Sequence, residues 1–319
     1  ETSKIDVTLS LIHGEIKRVA GRGSMTHEHD ESWTRCRRRY GALASPRHSP
    51  SQQLPTAALL YATLVEPVPI SVGIAAAEAD RIGLHGGDAD GKRRGHLTYG
   101  EIEFAPFATS IARIRAVFGG LGSGDGGARR GVFYDLGSGT GKAVFTAALV
   151  HRFERCVGIE LLESLHVCAQ RLKARWNAVI APQLERPSVA AERGGGASYD
   201  AGEGEDAAAA LKMRPVLNPS PVRLLCGDIF DVEVCDWAAD ASLCFCATTC
   251  FDRPLMERLV RTSSRCSVGT WFITWTKELA EFADRMGGEW VGQWKTRSVA
   301  RHVMSWGKKV TVYIQEKVR

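Results

Sequence analysis

The residues with the most chemistry in them are an acid and three alternating glycines, Asp135, Gly137, Gly139 and Gly141, with Ser138 and Thr140 between them and Lys142 after them. They stand between an apolar run, Val132, Phe133 and Tyr134, and a second apolar stretch from Ala143 to Leu149. The first run predicts a buried strand, the glycines a turn too tight for side chains, and the second run a helix whose N-terminus faces the turn. Such a turn lets a ligand rest on bare backbone, with helix N–H groups aimed at its carboxylate or hydroxyls. The spacing is GxGxG, neither the GxGxxG of dinucleotide turns nor the GxxxxGK[ST] of phosphate loops. A second acid, Glu160, ends the next apolar run about twenty residues on, where a carboxylate accepts hydrogen bonds from two ribose hydroxyls. Glu also suits a helix start, but its coincidence with the glycines favours ligand binding. A third acid, Asp228, follows Gly227 at the end of the run from Val222, with Ile229 behind it.

Other constellations are poorer. His27, His29 and Cys36 lack paired ligand spacing, and Cys244, Cys246 and Cys250 find no fourth partner, so no metal site is expected. No Ser/His/Asp or Cys/His set offers nucleophilic chemistry.

The elements that must position the acids follow from pattern. Phe107, Ile111, Ile114, Val117 and Phe118 recur at spacings of three and four and mark an amphipathic helix leading to the glycine strand. Cys156–Glu160 reads as a second strand and residues 161–179 as a helix carrying Leu165, Cys168, Leu172 and Trp176 on one face, which completes a β-α-β-α pattern. Further strands are expected at residues 222–230, 242–248 and 268–275, helices at 253–260 and 277–286, and two late strands near 290–299 and 310–315. Upstream, residues 56–81 predict a short helix, an extended piece at Pro67 and Pro69, and another helix, before a Gly/Asp-rich linker reaching to about residue 96. Residues 1–55, rich in Ser, Arg, His and Gly, read as a disordered extension, and 182–221 as a low-complexity insertion.

Composition bounds the function. The 319 residues are 44% hydrophobic, enough for one substantial core with appendages. A net charge of +5 allows a polyanionic partner but falls short of a dedicated nucleic-acid binder. The cluster Arg35–Arg39 reads first as a solvated charge run, with a localisation signal or phosphate contact as the other readings. Cysteines inside apolar runs are read as reduced core thiols. No apolar run is long enough for a bilayer and no signal core lies near Glu1; since the chain opens without Met, this is weak evidence of location.

With these residues assembled, the glycine turn resembles motif I of class I S-adenosylmethionine methyltransferases. The wider chain is similar to the disruptor-of-telomeric-silencing family of histone lysine methyltransferases. The blocks that carry the resemblance run in order: Tyr99-Gly100-Glu101 with Phe104, Asp135–Gly139, Gly158–Glu160, Gly227-Asp228, and Ser305-Trp306 followed by Tyr313. They span 97–319 outside the insertion, and the form around Glu160 and Thr249–Asp252 is closer to protist members. The upstream and downstream blocks raise the specificity, since the glycine turn is shared by methyltransferases of many substrates.

The resemblance implies an α/β fold with a seven-stranded, mostly parallel sheet and a terminal antiparallel hairpin, behind a small N-terminal helical region. It implies S-adenosyl-L-methionine as cofactor: Tyr99, Gly100, Glu101 and Ile102 closing over its methionine end, the stretch from Phe133 and Tyr134 through Lys142 against it, Glu160 on the ribose, Asp228 and Ile229 on the adenine. It further implies histone H3 in the nucleosome as substrate, acidic histone surface or DNA phosphates meeting Arg35–Arg39, Lys92–Arg94 and Lys308-Lys309, and a nuclear location. One departure stands out. Where the family has Asn beside the transferable methyl, this chain has Ala247-Thr248, so that Thr248 supplies a weaker polar contact or the site is altered. Phe251, Trp306 and Tyr313 are the candidate walls of the lysine channel, Val312 replacing Tyr313 if the alignment shifts by one. Two alternatives stay open: a non-histone protein lysine methyltransferase of this fold, and a non-catalytic chromatin-binding module.

Overall fold

The computed structural model describes residues 55–84, 99–121, 131–185, 212–303 and 309–319. Two helices, α1 (Ala57–Val65) and α2 (Ile70–Leu84), come first, parted where Pro67 and Pro69 interrupt helical hydrogen bonding. Helix α3 (Phe104–Ala116) leads to strand β1 (Val132–Leu136), the glycine turn and α4 (Lys142–Val150). Strand β2 (Arg155–Glu160) and α5 (Glu163–Arg175) follow, α5 running on through a π turn, Trp176–Ile180, to a last helical turn, Ala181–Leu184. The second half comprises β3 (Val222–Cys226), β4 (Ala241–Cys246), α6 (Arg253–Ser263), β5 (Trp271–Trp275), α7 (Leu279–Met286), β6 (Trp294–Val303) and β7 (Lys309–Lys317).

The seven strands form one sheet in the order β3-β2-β1-β4-β5-β7-β6. Strands β1 to β5 pair in parallel, and β7 is antiparallel to both β5 and β6. This is the mostly parallel sheet with a terminal hairpin expected of a class I methyltransferase. Parallel strands covered on both faces read as unbroken apolar runs, and β1 and β5 are buried at every position. One face carries Phe104, Phe107, Phe133, Phe145, Phe245, Trp271 and Trp275 beneath α1 to α5. The other carries Trp237, Met256, Phe272, Leu279 and Trp294 beneath α6 and α7. The chain builds outward from β1 through β2 to β3 and then returns to β4, so the order reverses between β1 and β4; a crevice opens at such a point beyond the carboxyl ends of the strands.

Among the described residues no single helix is long and apolar enough to cross a membrane; α1 and most of α2 together pass on composition, as a pair bent by 48°, but much of their apolar surface is buried in the core. The stretch 182–221 is more ordered at its ends than composition suggests. Leu184 and Met213 are buried, Ala57 N–H donates to the Met213 carbonyl at 2.9 Å, Val216 N–H to Leu149 at 2.8 Å, and Ser220 Oγ to Phe153 at 2.9 Å. The compositional bias lies between these anchors, in residues outside the described set. Helix α3 also stops short of the expected Val117, which is exposed; the chain turns there so that Phe118 stacks on Trp271, centroids 5.3 Å apart.

Candidate functional site

Three left-handed glycines make the turn after β1: Gly137 at φ 84°, Gly139 at 53° and Gly141 at 81°. Gly137 and Ser138 N–H groups both donate to the Ile159 carbonyl at 2.9 Å, which pins the turn to β2. A Cβ on Gly137 would meet nothing within 4 Å, whereas one on Gly139 would lie 2.7 Å from the Tyr99 ring. The turn is thus open at one glycine and covered by Tyr99 at the other.

Glu160 is buried at the tip of β2, where its Oε2 accepts from Gly139 N–H at 2.6 Å and its Oε1 from Leu162 N–H at 2.9 Å. Burial raises its pKa and these backbone N–H groups oppose the rise. A carboxylate has about four acceptor sites, so capacity remains for ligand hydroxyls. Asp135 is also buried, and its Oδ1 has no partner. Burial, with Glu160 nearby, pushes its pKa well above the carboxylate range. An orphaned buried carboxylate beside an open glycine turn is what a ligand ammonium would satisfy. The residues present therefore fit S-adenosylmethionine, whose ammonium and ribose hydroxyls are donors.

The segment before α3 closes the site from above. Tyr99 OH donates to Glu101 Oε1 at 2.5 Å and is 2.9 Å from Thr140 Oγ1, while Lys142 Nζ reaches the same Glu101 oxygen at 2.5 Å. Burial and Glu101 raise the Tyr99 pKa well above its usual value. Lys142 is the first residue of α4, where the helix dipole disfavours a cation; the Glu101 carboxylate compensates. Gly100 is exposed, and Ile102 turns inward to the core.

Asp228 lies half-buried beyond β3, its Oδ1 accepting from Phe230 N–H at 2.9 Å and its Oδ2 3.6 Å from Arg258. Ile229 is half-buried beside it, and its carbonyl accepts from Trp237 Nε1 at 2.8 Å.

Two residues expected against the cofactor have their side chains packed away from the glycine turn. Phe133 points into an aromatic cluster with Phe107 and Phe153, and Tyr134 donates its hydroxyl to Asp240 Oδ1 at 2.8 Å, at the end of the sheet where β4 begins. Both side chains are buried along β1, whereas Asp135 and the glycines reach the crevice at its carboxyl end.

On the acceptor side, Thr248 is fully buried and donates its hydroxyl to the Trp275 carbonyl at 2.5 Å, so it braces β4 to β5. Phe251 is half-buried, and its carbonyl takes the Lys277 ammonium. The pleat of β7 separates the two alternatives: Val312 pairs with Trp275 and is buried in the apolar cluster that also holds Ile102 and Phe245, whereas Tyr313 is on the α7 side, its pKa raised by burial, Glu278 and Glu281. Trp306 and Lys308 lie outside the described residues, as do Arg35–Arg39, Lys92–Arg94, His27, His29 and Cys36. No group of three potential metal ligands occurs among the described residues.

Sequence reasoning missed the part played by α2. Asp80 takes both the N–H of Ser164 at 2.7 Å and its hydroxyl at 2.6 Å, capping α5 from another helix. A Cβ on Gly73 would lie 2.3 Å from the Tyr99 ring, so Tyr99 is wedged between Gly73 and Gly139. A glycine inside an apolar helical run was the available signal; for Asp80 there was none.

Residues 97–181 match the family model described as histone methylation protein DOT1. The matched stretch holds Tyr99, Glu101, Asp135, the glycine turn and Glu160. No curated protein matches the chain. Among solved structures, the chain is similar to the m1A22 tRNA methyltransferase TrmK of B. subtilis at 12% identity and TM-score 0.40, covering 68% of each chain. It is similar to a putative O-methyltransferase from Klebsiella pneumoniae at 12% identity and TM-score 0.40, over 76% of this chain and 97% of that one. A putative RNA methyltransferase from Pyrococcus horikoshii gives 10% identity and TM-score 0.38, over 66% and 83%. Scores this low carry no further conclusion; the fold class rests on the sheet order, and the match over residues 97–181 supports a methyltransferase.

Proposed function

We propose, with the DOT1 match over residues 97–181 as premise, that the chain is a protein lysine methyltransferase that uses S-adenosyl-L-methionine and acts on histone H3 in the nucleosome core, in the nucleus. The observation that carries the reading is the coincidence of that match with the crevice, where the orphaned Asp135, Glu160 and the open glycine turn occur together. When bound, the cofactor would supply a methyl group already activated for in-line displacement by nitrogen. Asp135 would hold its ammonium, Glu160 its ribose, Asp228 its adenine amine, and Ile229 the ring face. The Tyr99–Glu101–Lys142 network fixes the loop over the methionine end.

The chain's main task is then positioning. A lysine has a reference pKa near ~10.4 and must arrive neutral. Apolar surroundings disfavour its charged form, and Ala247, Phe251, Trp275 and Val312 supply such surroundings around the ends of β4, β5 and β7. The exposed Lys309, with the basic clusters named from sequence, would anchor DNA phosphate or acidic histone surface away from the chemistry. A non-histone protein acceptor is a second reading, favoured by Ala247 and by the commitment of the Thr248 hydroxyl to Trp275.

Calorimetry with S-adenosylmethionine tests the pocket. Glu160→Ala should weaken binding by about 1–3 kcal/mol, the scale of hydrogen bonds to a charged group. Undiminished binding in Gly139→Arg would sink the assignment.

A further inference from the structure

Strand β5 ends in a turn that branched side chains resist. Thr276 stands at φ 69°, and the N–H of Lys277 donates back to the Trp275 carbonyl at 2.8 Å. That closes a three-residue γ-turn of the positive-φ kind, the rare and strained one. A β-branched residue there is a true outlier, and such conformations persist only where the surroundings over-determine them. Here they do: Thr276 N–H donates to Thr311 at 2.8 Å, Thr248 Oγ1 holds the Trp275 carbonyl, and the Lys277 ammonium holds Phe251. Among the described residues the other positive-φ positions are glycines, Leu121 and Asn218. Glycine would relieve the strain; threonine brings a hydroxyl instead, and Thr276 Oγ1 is 2.9 Å from Thr249 Oγ1. Both residues are exposed, at the carboxyl ends of β4 and β5.

The geometry points to the Thr249–Thr276 hydroxyl pair as the polar contact that orients the acceptor amine, an inference that rests on the methyl-transfer reading above. Asp135, Glu160 and Asp228 occupy the β1-β2-β3 half of the crevice, which leaves the β4-β5 half for the acceptor. In that half Ala247 has no polar side chain, the Thr248 hydroxyl is spent on the Trp275 carbonyl, and the Lys277 ammonium, held by the Phe251 carbonyl, has no lone pair to accept an amine N–H. Two hydroxyls use one hydrogen in their mutual bond and keep a second hydrogen and several lone pairs. An amine N–H donated to Oγ turns the nitrogen lone pair toward the methyl. The nitrogen then bonds the methyl carbon as the S–C bond breaks, the thioether leaves neutral, and the new alkylammonium later gives a proton to water.

The test compares two ligands by calorimetry on the full chain: S-adenosylhomocysteine, and sinefungin, which carries an amine at the position of the transferable methyl. Parent protein should prefer sinefungin. Thr249→Val and Thr276→Gly should lose about tenfold of that preference, the loss expected for one hydrogen bond to a charged group, with S-adenosylhomocysteine affinity unchanged and Thr249→Ser restoring it. Thr276→Gly should melt no lower than parent because it relieves the turn, so the test stands even if Thr249→Val folds poorly. An undiminished preference in the variants overturns this inference alone. Failure of the parent to bind either ligand overturns the methyl-transfer reading, and this inference with it.

Discussion

Replacing Lys142 with methionine should destabilise the domain by about 3 kcal/mol, and replacing Glu101 with glutamine in the same chain should recover most of that loss. The two side chains are 7% and 11% exposed and 2.5 Å apart. Removing one partner of such a buried pair leaves an uncompensated charge and costs about 3–5 kcal/mol; the lower end applies because Tyr99 still donates to Glu101. In Lys142→Met/Glu101→Gln no charge is left, and a neutral amide still accepts from Tyr99, so the double variant should lie within about 1.5 kcal/mol of parent. For a domain of this size 1 kcal/mol moves the melting temperature by about 2–4 °C, so the single variant should melt about 6–12 °C lower. Thermal and urea unfolding of parent, both single variants and the double variant read the cycle. A single-variant loss below about 1 kcal/mol, or losses that simply add, would refute the idea that the pair holds the segment before α3 onto the glycine turn.

Asp135→Asn should raise the stability of the ligand-free protein at neutral pH and weaken S-adenosylmethionine binding. The folded pKa of Asp135 is raised, so its ionisation costs stability as pH rises above about 4; the advantage of Asn should fade toward that pH, and a constant difference in urea midpoints from pH 4 to 8 would contradict this. His151 is buried against Phe153, its pKa held down to about 4 by burial and Arg115. A depressed imidazole pKa means stability present above about 6.5 and lost as pH falls toward 4, so His151→Gln should flatten that decline, and identical pH profiles would oppose it. Arg93→Glu with Arg94→Glu should lower transfer to nucleosomes, more strongly as salt falls, without altering cofactor affinity; equal transfer across a salt series would remove the anchoring model.

What the sequence disclosed was governed by pattern length. The glycine turn, the parallel strands and α3 were legible because tight turns demand glycine and buried strands demand unbroken apolar runs. Glu160 was placed correctly at the tip of β2 because the run before it ends there. Where the side chains of Phe133 and Tyr134 go was not legible, because residues within one buried strand share composition whichever way they point; the ring contacts of Phe133 and the hydrogen bond from Tyr134 to Asp240 show it. Val312 against Tyr313 turned on one residue of register, which flips a strand's faces. The wedge of Tyr99 between Gly73 and Gly139, and the strained turn at Thr276, arise from contacts between segments far apart in sequence or from a local conformation that composition does not report.

Transfer of labelled methyl from S-adenosylmethionine to intact nucleosomes, beside free histone H3 and a Gly139→Arg control, tests the central claim most directly. The account predicts label on H3 within intact nucleosomes, little on free H3, and none with Gly139→Arg. Label on neither substrate, or equal label with the glycine variant, would contradict it.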